Sequence, residues 1–587
     1  MNISRKSKLL AGAVLSTALL VGCGGTSNEP ATGGQQGTTG GGGTTTTGIG
    51  TQQHVFSPDN PVTISMLITS NEMAPAPGNR ITELIRERLG VTLTWEVVAE
   101  DMQSQRLGVL LAAGAELPDL IGVTDTEASL VQGGALLRLD PFLDSGNFPR
   151  LAEFVAPYRG HVSWSGGGVE HGLYQFPNYS RFFGDPPILP PTHFGTGFWL
   201  QKSVLEWHGF PDLSNMTLDR YFDMIEAYMQ AHPTINGLPT IGFTFPVQGR
   251  TWGMTNPPMF LAGSPNNGAV LVRHDGQGGV YAELYATSIY AEEYFRFLNA
   301  AFNRGLVDPE TFSRTVDDYV AALATGRVLG MHDQRWAFGA GYDALVNAGM
   351  DERTWIATMP TLFGREPRYQ NRPVISVNQG FGVSVSNPNP ELALGFLEQL
   401  MSPEWQTIIS WGEEGIDYHV GADGLFYMTP EQRANRVDPV WVQHNRVPAL
   451  LTIMPKMQGT LPDGNAFDPN SQPAEFLQGL SDFNRNFLEN YGKQTWTDFL
   501  NAPPPNAVYE PAWQISMPAG SVAQMANAQM EEAALMFLPR AIMAPVAEFD
   551  SIWQEYVNHI ALIDTDAIEA VFTAGLMARV EAAGGLN

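Results

Sequence analysis

Between Val62 and Val123, short β-branched apolar runs alternate with segments whose apolar residues recur every three or four positions. Val62 to Ile68 reads as a strand, and Ile81, Leu84, Ile85 and Leu89 form one face of a helix that Gly90 closes at its C′ position. Val91 to Val98 predicts a second strand, Leu107 to Ala113 a helix, and Leu120 to Val123 a third strand entered through Pro118 and Asp119. This alternation is the pattern of a parallel sheet covered by helices, so the N-terminal region is expected to be α/β. Farther on, Thr217 caps a helix carrying Leu218, Tyr221, Phe222, Ile225 and Met229 on one face, and Pro233 stops it. Asn389-Pro390 and Ser402-Pro403 each place a capping side chain before a proline at N1, starting two consecutive helices. From Ser551 to Gly584 the stripe Trp553, Tyr556, Val557, Ile560 and then Ile568, Val571, Phe572, Met577 reads as core-facing helix.

The segment ahead of this pattern has a different character. Arg5, Lys6 and Lys8 precede an apolar run from Leu9 to Val21, and Leu20-Val21-Gly22-Cys23 follows. The run is shorter than the about 20 residues of a membrane span, and the order of basic, apolar and small residues is that of a signal segment. It resembles a bacterial lipoprotein signal with its lipobox, which implies residues 1–22 as signal peptide and a lipid on Cys23, the chain's one cysteine. From Gly24 to about Gln53 the sequence is mostly Gly, Thr, Ser and Gln, which cannot bury a core, so 23–56 is expected to be a flexible tether spanning roughly 30 Å.

Composition narrows the function. At 587 residues the chain is too long for one core, and its 43% apolar content suits folded protein. The 32 basic and 60 acidic side chains give −28, and removal of residues 1–22 would leave −31. A surface this negative repels phosphate backbones, arguing against nucleic acid as a partner. One thiol closes no internal disulfide and makes no Cys-based zinc site. No His-Glu-x-x-His, Walker A or complete Gly-x-Ser-x-Gly motif occurs. The acidic pairs Asp317-Asp318, Glu292-Glu293, Glu413-Glu414 and Glu531-Glu532 are sequence neighbours whose side chains diverge on a helix or strand, so none reads as a catalytic dyad.

Several blocks carry a resemblance. Trp199-Leu200-Gln201-Lys202-Ser203-Val204-Leu205, then Gly209-Phe210-Pro211 and Thr217-Leu218-Asp219, resembles the start of the second lobe in extracellular solute-binding proteins of carbohydrate ABC importers. Tyr174-Gln175-Phe176-Pro177 is similar to the hinge strand before it. Gly305-Leu306-Val307-Asp308-Pro309-Glu310 with Gly326-Arg327-Val328, and Trp411-Gly412-Glu413-Glu414-Gly415-Ile416-Asp417-Tyr418, resemble later blocks of the long lipoprotein subgroup.

The resemblance implies an α/β, two-lobed periplasmic-binding-protein fold of type II kind, with discontinuous lobes and a hinge. Lobe one is expected at 57–177 plus 381–440 and lobe two at 178–380 plus 441–587, with a crossing near Val374 to Gly382. It further implies a monomer outside the cytoplasm, tethered to the membrane through Cys23, that binds an oligosaccharide or other sugar and delivers it to ABC permease subunits without catalysis or cofactor. A cell-surface glycan hydrolase or lyase, and a peptide-binding or sensing lipoprotein on the same scaffold, are the alternatives. Relatives that bind acidic oligosaccharides carry a calcium loop where this chain has His232-Pro233-Thr234-Ile235-Asn236-Gly237-Leu238-Pro239, too poor in carboxylate for calcium, so no metal is expected there. Sugars are held by aromatic faces and by polar side chains at strand ends. By position the candidate contacts are Asn71, Glu72, Asp125, Thr126, Trp252, Asp333, Arg335, Trp336, Asn378, Gln379 and Trp411. Glu413 and Tyr418 are expected to hold a helix turn.

Overall fold

The run of apolar residues at the start of the pattern forms β1 (Val62–Thr69), whose Ile64, Met66, Leu67 and Ile68 are all buried, as in a strand covered on both faces. The computed structural model describes residues 54–70, 73–99, 102–112, 116–124, 127–166, 169–179, 181–183, 188–369, 376–502, 507–518 and 520–586. Asn79 starts α1 (Arg80–Leu89) by accepting the N–H groups of Ile81 at 3.0 Å and Thr82 at 3.2 Å. Gly90 ends the helix at φ 69°, where a Cβ would lie 2.1 Å from the carbonyl oxygen of Ser57. β2 (Val91–Val98) then pairs with β1 in parallel, and β3 (Leu120–Thr124) pairs in parallel on the other side. β4 (Phe176–Tyr179) follows.

A second sheet uses β5 (Thr196–Gln201), β6 (Ile241–Thr244), β7 (Val328–Gln334) and β8 (Trp355–Thr358), in the order β6-β7-β5-β8. β6, β7 and β8 share a direction and β5 runs against them. The chain then returns to the first sheet as β9 (Ser376–Val383), antiparallel between β3 and β4, giving the order β2-β1-β3-β9-β4. The first sheet is therefore mixed rather than wholly parallel. Its fourth strand arrives only after the second sheet is built, and nothing local in β9 announces that direction.

β9 meets β4 closely. A Cβ on Gly380 would lie 2.0 Å from the carbonyl oxygen of Phe176, and the register slips between Ser376 and Gly380. Beside this contact, Asn178 is fully buried and donates from Nδ2 to Gln379 Oε1 at 2.9 Å and to the carbonyl of Thr452 at 2.5 Å.

Each sheet has its own core. The first draws on Ile64, Ile81, Phe176 and Phe381, the second on Phe198, Phe222, Phe243 and the C-terminal helices Val522–Met543, Phe549–Ile560 and Thr565–Ala582. The expected return to lobe two at 441 lies too early. Val447, Leu450, Ile453 and Met454 belong to the first core, and Glu475 accepts Met428 N–H and pairs with Arg433. The second core resumes at the helix Asp482–Tyr491, through Phe487. Apolar periodicity is the same on either side of 440, so only packing reveals the change. Likewise β9 enters the first sheet at Ser376 and β4 continues it to Tyr179, not 381 and 177. The chain thus passes between the sheets three times, after Tyr179, after Thr358 and after Glu475. The segment Ile188 to Pro191 touches both sides, with Ile188 N–H donating to Thr460 and Thr497 donating to the carbonyls of Pro190 and Pro191.

Lys202, at the end of β5, is fully buried in the second lobe. Its ammonium donates to Thr354 at 2.8 Å and Asn484 at 2.6 Å and lies 4.0 Å from the centre of the Trp496 ring. Burial pulls its pKa down to about 7, against the attraction of Asp351.

Gly380→Ala should cost about 2–4 kcal/mol in urea denaturation because backbone must move to admit the methyl. Gly479→Ala, with open space around it, should change stability by less than about 0.5 kcal/mol. From pH 7 upward to the ordinary lysine range, the unfolded chain binds the Lys202 proton that the folded chain has released, so stability rises with pH across that window. Lys202→Met should remove about 1–2 kcal/mol of this rise between pH 7.5 and 9.5, read as the difference between the two proteins' denaturation midpoints.

Candidate functional site

The carboxyl ends of β6, β7 and β8 and the amino end of β5 lie along one edge of the second sheet. Loops leaving such an edge are where α/β sheets hold ligands. Beyond β6 the chain turns at Gly249, φ 72°, and enters a helical turn, Trp252–Thr255. Beyond β7 it forms the turn Arg335 to Phe338. These two turns meet through Trp252 and Trp336, whose ring centres are 5.9 Å apart at 37°. Trp336 is 57% exposed, unusual for a residue of its size, and Trp252 is half-buried.

The pair is held from below. Arg250 donates to the carbonyl of Ala337 at 2.8 Å, tying one turn to the other, and its guanidinium carbon lies 5.8 Å from the Trp336 ring centre. Trp336 Nε1 donates to Gln334 Oε1 at 2.6 Å, fixing the ring's direction. Gly253 must be glycine, since a Cβ there would lie 2.6 Å from the carbonyl oxygen of Pro246. Its own carbonyl accepts from Nδ1 of the fully buried His332 at 3.0 Å. Burial depresses the His332 pKa to about 4, so the imidazole is neutral near pH 7 and the bond is a neutral one. Sequence reasoning missed Arg250 and His332 as supports; the strand position of His332 beneath a Gly-rich turn was the only available signal.

Other candidates fall elsewhere. Asp333, a candidate contact by position, does not project from a strand end: β7 runs past it to Gln334, which pairs with Thr196. Asp333 is fully buried, accepting from Gln334 N–H at 2.7 Å and Tyr319 hydroxyl at 3.0 Å. Burial raises its pKa to about 7, only partly offset by those two donors and by Arg250. It is a core carboxyl. Arg335 turns toward the helix Gly339–Asn347, its guanidinium carbon 4.0 Å from the Tyr342 ring centre and its Nη2 3.2 Å from Asp343, which makes it an anchor for the turn. Trp411 is also core, not platform: it is 1% exposed, donates to the carbonyl of Ala466 at 2.8 Å and packs edge-on against Tyr418 and Phe426. Its neighbours Glu413 and Asp417 grip Arg80 at 2.5 and 2.7 Å.

At the first sheet, Gln379 pairs with Thr124 on the backbone and accepts from Asn178, so its amide oxygen is committed to β4. Asn378 lies in β9, but its side chain is outside the described residues. Asn71, Glu72, Asp125, Thr126 and Cys23 also lie outside them. The stretch expected to lack calcium folds as a tight hairpin with Asn236 and Gly237 at φ 52° and 77°. Among the described residues no three His, Cys, Asp or Glu side chains come together as a metal site, and no helix is long and apolar enough to cross a membrane.

No family model and no curated protein sequence matches the chain. Solved structures do match over nearly all of it. A solute-binding protein described as HMO binding and ABC-transporter associated, from Bifidobacterium longum infantis, aligns with a TM-score of 0.62 at 15% identity, covering 89% of this chain and 99% of its own. The S. pneumoniae ABC-transporter substrate-binding protein FusA, an EF-hand mutant in complex with fructo-nystose, aligns at 0.58 with 14% identity, covering 88% and 99%. The alginate-binding protein AlgQ2 without calcium aligns at 0.55 with 13% identity, covering 89% and 100%. With two large sheets, three crossings between them and these likenesses, the chain has the two-lobed α/β fold of ABC-transporter solute-binding proteins.

Proposed function

We propose that this protein binds a carbohydrate, an oligosaccharide in particular, between its two lobes and hands it to the permease of an ABC importer. The observation that carries this is the Trp252–Trp336 pair, half-exposed aromatic faces held side by side at the edge of the second sheet where β6, β7 and β8 end. Sugar rings present C–H faces to such surfaces, and the polar groups around them satisfy hydroxyls. The structures that share the fold are described as HMO binding, in complex with fructo-nystose, and alginate-binding, which supports a saccharide as ligand. Capture needs no covalent step: the lobes close about the crossing strands, and the closed form is what the permease meets. A lipid on Cys23 would keep the domain at the membrane, and the Gly/Thr segment would let it reach its partner.

A thermal-shift screen against mono- and oligosaccharides tests the reading, since a ligand that binds only the folded state raises Tm without forming product. For the saccharide found, Trp336→Ala should weaken binding by about tenfold or more in calorimetry, while lowering Tm little because the ring is largely in solvent. Trp252→Ala should act in the same direction. Asp333→Asn should leave affinity unchanged. Shifts with peptides and none with any glycan would overturn the assignment.

A further inference from the structure

Away from the Trp pair, the second lobe contains a cavity of about 240 Å³ between the loop after Leu261, the hairpin strand Val270–His274, the segment Arg365 to Arg368, and Glu510. Three of the chain's 32 basic side chains line it, Arg273, Arg365 and Arg368, against one carboxylate, Glu510. In a chain with a balance of −28 this is a local reversal of sign. The pairing inside it is incomplete. Arg368 reaches Glu510 only at 3.2 and 3.4 Å, longer than a charge-assisted pair of about 2.7–2.9 Å. Arg273 is tied through Nε to Glu283 at 2.8 Å, from outside the cavity wall, while its Nη2 is 3.5 Å away. Arg365 is exposed and has no carboxylate partner among the described residues; its guanidinium carbon lies 5.8 Å from the Tyr290 ring centre.

All three cations are arginines, whose planar forks match two oxygens of a carboxylate, sulfate or phosphate at once. The volume is below the about 300–1,000 Å³ of a site for a larger organic ligand, and suits one oxyanion or one acidic sugar unit. A second cavity of about 250 Å³ shares Gly263 and Arg368 with the first and is lined by Met359, the residue after β8. That second cavity therefore reaches the end of β8, and the arginine cavity lies beside it. The backbone turn is shaped for it: Gly263 has φ 82°, and a Cβ there would press to 3.3 Å on the carbonyl oxygen of Glu366.

We propose that this cavity is an oxyanion-binding site, with Arg273, Arg365 and Arg368 as donors and Glu510 as the internal competitor that the anion displaces from Arg368. The proposal stands apart from the sugar reading, because an inorganic anion is sufficient to test it. Calorimetric titration of the full chain with inorganic sulfate and phosphate, at ionic strength held constant with chloride, should show saturable binding. Arg365→Gln, at an exposed position, should weaken it about tenfold. Glu510→Gln should strengthen it, an effect opposite to what damage to the fold would give. A second arm compares a uronate-bearing oligosaccharide with its neutral counterpart. If the acidic sugar alone loses affinity in Arg365→Gln, the oxyanion is carried by the saccharide; if only sulfate or phosphate responds, it is a free ion. No binding of sulfate, phosphate or the uronate-bearing oligosaccharide above the chloride control, or affinity for all of them unchanged in Arg365→Gln, overturns the site.

Discussion

The close contact between β4 and β9 is the constraint on which the architecture rests. Gly380 lies against the carbonyl of Phe176 with no room for a methyl group, and the strands that meet there are the ones by which the chain leaves the first sheet and comes back to it. β9 completes the first sheet only after β5 to β8 have been laid down in the second. Neither lobe is a contiguous piece of chain, so the first sheet closes late, by a non-local pairing that carries the loop-closure cost of everything between. The buried Asn178 and the half-buried Gln379 sit beside it, joining both crossing strands to the carbonyl of Thr452. Buried polar groups of this kind are favourable only when their partners are in place, which ties the hydrogen bonds to one register of the two strands.

The second lobe uses buried polar groups in a related way. Lys202, His332 and Asp333 are all fully buried. Each has a pKa displaced toward its neutral form by burial, and each hydrogen-bonds to a neighbouring element. His332 supports the turn under Trp252, and Asp333 holds Tyr319 against β7. The consequence at the surface is a pair of tryptophans whose position is set from within the sheet and braced by Arg250. A stacking surface that is already in place loses less side-chain freedom when a ligand arrives.

Much of the local structure was legible in the sequence because it is written locally. The alternation of β1, α1, β2 and β3, the Gly90 end of the first helix, and the Thr217, Asn389 and Ser402 caps are matters of spacing and side-chain chemistry within a few residues. What was not legible depends on partners far along the chain. Trp411 and Trp336 both stand beside polar residues and within three positions of a glycine in the sequence, yet one is enclosed by Tyr418 and Phe426 and the other faces solvent. Asp333 is a candidate contact by position, but pairing with β5 extends β7 past it and leaves its carboxyl inside. Val447, Leu450, Ile453 and Met454 join the core that holds Ile64 and Phe176 rather than that of the second sheet, and Leu461 and Phe467 pack with Trp411, Tyr418 and Phe426, choices that periodicity does not encode.

These features converge on one claim: that ligand is held at the sheet edge where Trp252 and Trp336 stand, between lobes joined by the crossing strands. A crystal structure of the protein with the saccharide selected by the binding screen tests it most directly. The account predicts a sugar ring stacked on Trp336 or Trp252, with the residues after β1 and β3 contacting its opposite side. A saccharide bound elsewhere on the surface, with both indole faces free of ligand, would contradict it.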